Sequence, residues 1–293
     1  MARDYLEIFG RNIDAVLDIG GPATQLAGMS KGLTDPRDFF DLFRGHDRLG
    51  SHRETGRYHV SILDDHDMVG RGKHRFAAHN TIPNCDQQVA HAVGAQLTTL
   101  GVPCIYYGTE QAFDGTEDRH DSSIEPTRSF EDRYIRESMF GGTFGAFETA
   151  GCHFFDTHNP TYVRIAAIAR IRNRPDRIGM ALRRGRQYLR ETSILGLQFA
   201  IPGRGELVAW SRLLFDQEVL VAFNSHGTTG RGADITVDAA LHPPGSRMTL
   251  LYDGAWSETE LRQPPHKTVT VQHHNGRATV HLDLPPAGMA MLA

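Results

Sequence analysis

Two regimes divide this sequence, and together they predict an α/β part over residues 1–185 followed by an all-β part over residues 186–293. Three observations carry that reading. Short apolar runs alternate with helical stretches in the first part, the order expected of a parallel sheet covered by helices. A two-residue alternation of apolar and polar positions takes over in the second part, as in half-buried strands. Turn-forming clusters such as "NSHGTTGRG" and "HPPGS" separate these later strands, which points to an antiparallel β-sandwich.

In the first part, "NIDAVLDIGGP" (12–22) reads as a buried strand closed by a Gly-Gly-Pro turn. "TDPRDFFDLFRGHDRLG" then starts a helix, with Thr34 or Asp35 as cap, Pro36 in the first turn and Phe39, Phe40 and Phe43 on one side. "RYHVSILDD" (57–65) is a second strand. "NCDQQVAHAVGAQLTTLG" is an amphipathic helix with Val89, Val93, Leu97 and Leu100 on its apolar face and Gly101 at its end. "VPCIYYG" (102–108), apolar throughout, predicts a strand buried on both faces. A last helical region (160–185) is interrupted at Pro175. Beyond it, "ELVAWSRLL", "EVLVAFN", "ADITVD", "RMTLLYDG", "KTVTVQ" and "RATVHLDL" supply the strands of the second part, with Trp210 and Trp256 as core candidates.

Composition excludes several classes. Of the 293 residues, 40% are hydrophobic and 23% charged, as in globular domains. A net charge of −4 is too mild to attract nucleic acid or an anionic membrane over the whole surface. No apolar stretch approaches the ~18 residues that cross a bilayer, and no signal-peptide pattern opens the chain. The three cysteines, Cys85, Cys104 and Cys152, are scattered, odd in number and not spaced for zinc, which suggests a reduced, cytoplasmic setting. No cofactor, metal, nucleic-acid or membrane partner is expected.

Chemistry collects behind the second strand. "SILDDHDMVGRG" (61–72) places Asp64, Asp65, His66 and Asp67 directly after an apolar run, although adjacent carboxylates repel and resist desolvation. In a parallel sheet the strand C-termini share one mouth. "YYGTEQAFDG" (106–115) ends the third strand there, bringing Tyr106, Tyr107, Glu110, Phe113 and Asp114. Paired carboxylates suit glycosidic cleavage; with histidines they suit a metal; or Asp64 and Asp65 simply satisfy loop N–H groups. "HFFDTH" (153–158) and the arginine-rich 170–186 region are likewise more economically read as loop hydrogen bonding and as a solvated or interdomain surface.

Taken in order, "SILDDHDMVGRG", "LGVPCIYYGTEQAFDG", "DRYIRESMFGGTFGAF", "HFFD", "LRRGRQYLRE", "VAWSR", "LVAFN" and "LDLPPAGMAML" resemble the C-terminal part of the α-amylase family of glycoside hydrolases. The resemblance implies about strands six to eight of a (β/α)8 barrel followed by the family's β-sandwich. It implies a hydrolase or glucosyltransferase acting on α-glucans or maltooligosaccharides. Asp67 matches the carboxylate that stabilises the oxocarbenium-like transition state, and His66 the imidazole that binds the same sugar ring. Asp65 stands where the family often has Asn, and Asp65, Glu110 and Tyr107 are the further substrate contacts expected. Nothing in the sequence resembles the family's nucleophile or acid/base segments. The expectation is therefore that this chain alone is inactive and is complemented by the missing barrel half. The alternative is a non-catalytic glucan-binding or subunit-complementing remnant.

Overall fold

A computed structural model describes residues 15–17, 20–43, 56, 58–67, 74–78, 82–114, 135–136, 138–140 and 154–293. Three short strands, β1 (Val16–Leu17), β2 (His59–Ile62) and β3 (Val102–Cys104), form a parallel sheet in that order. Around it lie helices α1 (Gly21–Ser30), α2 (Pro36–Phe40), α3 (Cys85–Thr98), α4 (Pro160–Arg172) and α5 (Arg177–Arg184).

Helix α1 corrects the expected Gly-Gly-Pro turn. Pro22 sits in the first turn, where its missing N–H costs nothing, and so starts a helix rather than ending the strand. Inside α1, Gly28 lets Thr34 close in, since an added Cβ would lie 2.6 Å from Thr34 Cγ2. Helix α2 begins as its sequence predicts. The Asp35 side chain caps it by accepting the Arg37 N–H at 2.9 Å, and the Arg37 guanidinium holds that carboxylate below its ordinary range. Phe39 meets Phe40 and Phe43 edge-on at 5.4 and 5.3 Å, and Phe40 reaches Trp210.

Helix α3 is buried on nearly every side, including Val89, Val93 and Leu97 of its predicted apolar face; it ends at Thr98, so the equally buried Leu100 lies just beyond it. Its Gln96 amide donates to Ser61 O at 2.7 Å and Cys104 O at 3.0 Å, tying the helix to β2 and β3. The third strand is the larger correction. Only Val102–Cys104 is strand, and Val102 is 47% and Ile105 38% exposed, as is Leu17 of β1 at 43%. An all-apolar run predicts cover on both faces; here Val102, Cys104 and Ile105 are all left exposed.

The second half holds ten strands: β4 (Arg186–Leu189), β5 (Thr192–Ser193), β6 (Leu207–Leu214), β7 (Gln217–Asn224), β8 (Arg231–Thr236), β9 (Arg247–Asp253), β10 (Lys267–Thr270), β11 (Gln272–His274), β12 (Arg277–Leu284) and β13 (Met289–Leu292). They form two antiparallel sheets, ordered β10-β9-β13-β7-β6-β4 and β11-β12-β8-β5. The expected single strand "KTVTVQ" is thus two: the chain leaves one sheet for the other at the buried Val271. Short helix α6 (Glu258–Arg262) is held by a capping box between Ser257 and Glu260.

Leu207, Leu220 and Ala222 of the larger sheet share one core with Ile235, Val280 and Leu282 of the smaller. The other face of the larger sheet, with Val208, Trp210, Val221 and Phe223, packs into the helices of the first half. Burial on both faces explains why β6 and β7 read as nearly continuous apolar runs. Both tryptophans are core residues, so Trp256 offers no exposed ring to a sugar.

Polar pins also join the halves. His91 of α3 meets Ala287 O through Nδ1 at 2.5 Å and the Tyr252 hydroxyl through Nε2 at 2.7 Å. The fully buried Arg212 of β6 donates to Thr98 O at 2.9 Å and Gly185 O at 3.1 Å, the C-terminal ends of α3 and α5. A cation placed at two helix C-termini interacts with both dipoles, which helps to offset its desolvation. The arginine-rich region is used partly in the same way. Arg170 donates to Leu261 O and Arg177 pairs with Asp216 across the halves, while Arg183 donates to Arg172 O and Arg174 O and ties α5 back to the end of α4.

Candidate functional site

The predicted cluster begins where β2 ends. Asp64 is buried, and its two oxygens accept the Phe76 N–H at 2.6 Å and the Thr109 hydroxyl at 2.9 Å. It ties the strand end to the 74–78 turn and to the one-turn helix Thr109–Gln111 after β3. Asp65, also buried, accepts the Asp67 N–H through Oδ1 at 2.6 Å, an Asx turn that throws the next side chains outward. The loop-satisfying role is therefore filled by both residues. No described group of three or more His, Cys, Asp or Glu is arranged to hold a metal.

His66 and Asp67 are the pair left facing solvent. His66 Nε2 stands 3.2 Å from Asp67 Oδ2, and the Asp67 side chain is 47% exposed. Arg136, itself 43% exposed, adds a second partner to the same carboxylate at 3.0 Å and donates through Nε to His66 O at 3.1 Å. Asp67 thus has an imidazole on one oxygen and a guanidinium on the other, while each oxygen keeps a lone pair for a further donor.

Behind this pair lies a buried guanidinium that sequence reading missed. Arg75 donates to Tyr107 O at 2.9 Å and Ile135 O at 3.1 Å, and it lies over Tyr106 at 4.8 Å and Phe113 at 5.4 Å. Tyr106 donates its hydroxyl to the same Ile135 O at 3.1 Å. Burial, with the neighbouring Tyr107, pushes that hydroxyl's pKa up, so it stays a donor. Arg75 had one sequence signal, a charge directly ahead of the apolar "FAA". Arg136 had none, because only distant folding brings it to Asp67.

The other expected contacts are placed less closely. Tyr107 is partly exposed and packs on Tyr106 at 4.6 Å between ring centroids. Glu110 is half-buried on the Thr109–Gln111 turn and, among the described residues, makes no hydrogen bond or ion pair with His66 or Asp67. Asp114 is buried, which removes it from a shared open mouth. The turn itself depends on Gly108, at φ +82° with Phe113 packed where a Cβ would stand. Residues 68–72 of the motif and most of "DRYIRESMFGGTFGAF" lie outside the described residues. So does His153; of its group, Asp156 turns the chain by accepting the His158 N–H and His158 pairs with Glu258.

The fold of this chain, a short parallel sheet joined to two antiparallel sheets, is matched by solved structures of α-amylase-family enzymes. Among solved structures, the α-amylase from H. orenii matches 100% of this chain with 51% of its own at 15% identity and a TM-score of 0.58. The α-amylase from Geobacillus thermoleovorans, complexed with acarbose, matches 100% with 50% of its own at 17% identity and a TM-score of 0.57. The γ-CGTase from alkalophilic Bacillus clarkii matches 92% with 31% of its own at 17% identity and a TM-score of 0.55. At such identities the likeness is one of fold, and this chain spans about half or less of those proteins. No protein-family model and no curated protein matches the sequence.

Proposed function

We propose that this chain supplies one wall of an α-glucan site of the α-amylase type. In this reading residues 1–185 are about strands six to eight of a (β/α)8 barrel, and residues 186–293 are the β-sandwich that follows. The observation that carries it is the His66–Asp67 pair, exposed at the end of β2 in a chain whose fold matches α-amylases along its length. Asp67 accepts hydroxyl protons of the ring that distorts. Those hydrogen bonds strengthen as positive charge develops at the sugar, so they favour the transition state over the ground state. His66 donates to the same ring, Tyr107 and Glu110 line the approach, and Asp65 holds the loop in shape.

Retaining cleavage needs a nucleophile and an acid/base about 5–5.5 Å apart. This reading assigns both to barrel strands that the chain does not carry, so it binds glucan but cuts only when complemented. The exposed apolar residues Leu17, Val102 and Ile105 support a sheet completed by further strands. Calorimetry with acarbose, beside a reducing-end assay on maltooligosaccharides, tests the proposal. Binding that weakens about tenfold in Asp67→Asn, without turnover, is expected from loss of a charged acceptor. Turnover by this chain alone would reassign the catalytic acids; binding indifferent to Asp67→Asn would remove the wall from this site.

A further inference from the structure

The Arg136 contact goes beyond what the His66–Asp67 pair requires. Three carboxylates fall within four residues, Asp64 to Asp67, and Arg136 pairs with the exposed one at 3.0 Å. It holds two points at once, the Asp67 carboxylate and the His66 carbonyl, so it fixes the side chain and the backbone that carries it. Its own position is built. The preceding residue's carbonyl, Ile135 O, accepts from both the buried Arg75 and Tyr106. Four residues downstream of Ile135, Met139 O accepts the Phe154 N–H at 2.8 Å. Arg136 is therefore presented from a backbone anchored on both sides, unlike a free surface arginine.

We propose that Arg136 is the positioning residue for Asp67. It aims the carboxylate and leaves one lone pair on each oxygen for sugar hydroxyls. The Arg75–Tyr106–Ile135 anchor transmits the rigidity of the core to that clamp. This inference rests on the glucan-site reading only for its consequence, not for the clamp itself.

Two measurements on the full 293-residue chain separate the clamp from the site. Hydrogen exchange over residues 64–67 should speed up in Arg136→Gln, stay near wild type in Arg136→Lys, and leave the β6–β7 core unchanged. Acarbose affinity should fall about three- to fivefold in Arg136→Gln, the scale of a half-exposed ion pair, with substantial rescue in Arg136→Lys. In an Asp67→Asn background the Arg136→Gln change should cost clearly less, because the carboxylate it pairs with is gone and only the His66 carbonyl contact remains. Unchanged exchange at 64–67 refutes the clamp whatever the sugar does. Tighter acarbose binding in Arg136→Gln would make the residue a plug instead, and full additivity with Asp67→Asn would sever it from that carboxylate. Faster exchange in a chain that binds no acarbose even as wild type would keep the clamp and dismiss the glucan site.

Discussion

His91 should make the stability of this chain fall on mild acidification. Its imidazole is fully enclosed between α3, the Ala287 carbonyl and the Tyr252 ring. Burial pulls its pKa from the ordinary 6.5 down to about 3; the Ala287 carbonyl opposes that fall and Arg164 adds to it. Between those values the unfolded chain binds a proton that the folded chain refuses. The folded state therefore enjoys the full contribution above pH 6.5 and loses it as the pH falls toward 3, at about 1.4 kcal/mol per unit. From pH 7 to pH 5 the loss is roughly 2 kcal/mol, a large share of an ordinary domain's stability. Both tryptophans are buried, so their fluorescence in urea titrations reports the transition. His91→Gln should be less stable at pH 7.5 by about 1–3 kcal/mol, because one of two buried partners is left unmatched. That deficit should shrink by about 2 kcal/mol at pH 5. Carboxylates held low by neighbours, such as Asp35 and Asp176, contribute equally in both proteins and cancel. Parallel stability–pH curves for the two would show that His91 is not the group responsible.

Arg212→Met should cost about 2–4 kcal/mol by urea titration, since it strips the donors from the Thr98 and Gly185 carbonyls where two helices end. Asp64→Ala should cost about 2–4 kcal/mol as well, and limited proteolysis should find the 64–67 loop newly cleavable, because Phe76 N–H and the Thr109 hydroxyl lose a shared acceptor. Gly94→Val should destabilise by about 1–3 kcal/mol: even a Cβ there lies 2.8 Å from Met289 Sδ and 2.9 Å from Ile168 Cδ1, where α3, α4 and β13 converge.

Legibility from sequence followed how local each cause was. Helix α3 could be read from its four-four-three spacing and α2 from Asp35 and Pro36, because period and caps sit in the sequence itself. Helix α1 could not, because Gly20, Gly21 and Pro22 suit a turn as well as a helix that carries Pro in its first turn. The division of "KTVTVQ" was invisible for a related reason: alternation continues across Val271 while the hydrogen-bonding partner changes. In the site, His66 and Asp67 stood out as polar residues closing an apolar run. Their setting did not: Arg136 reaches Asp67 from 69 residues away, and Asp64 and Asp65 look identical to Asp67 until the donors that each accepts from are counted.

That count explains how a single short loop can hold three neighbouring carboxylates. Two are turned inward and spent on protein donors, Phe76 N–H and the Thr109 hydroxyl for Asp64 and the Asp67 N–H for Asp65. Each inward bond replaces water that the buried carboxylate has lost, which offsets its desolvation. The same bonds fix the turn that leaves Asp67 outside, where solvent and Arg136 screen it. An acceptor aimed at a hydroxyl must be rigid and still unsaturated, and a lone surface aspartate is unsaturated but not rigid. In the proposed glucan site rigidity would come from the two buried neighbours and from Arg136, and unsaturation from exposure, so the excess charge that the sequence displays would be the means by which one carboxylate is held ready.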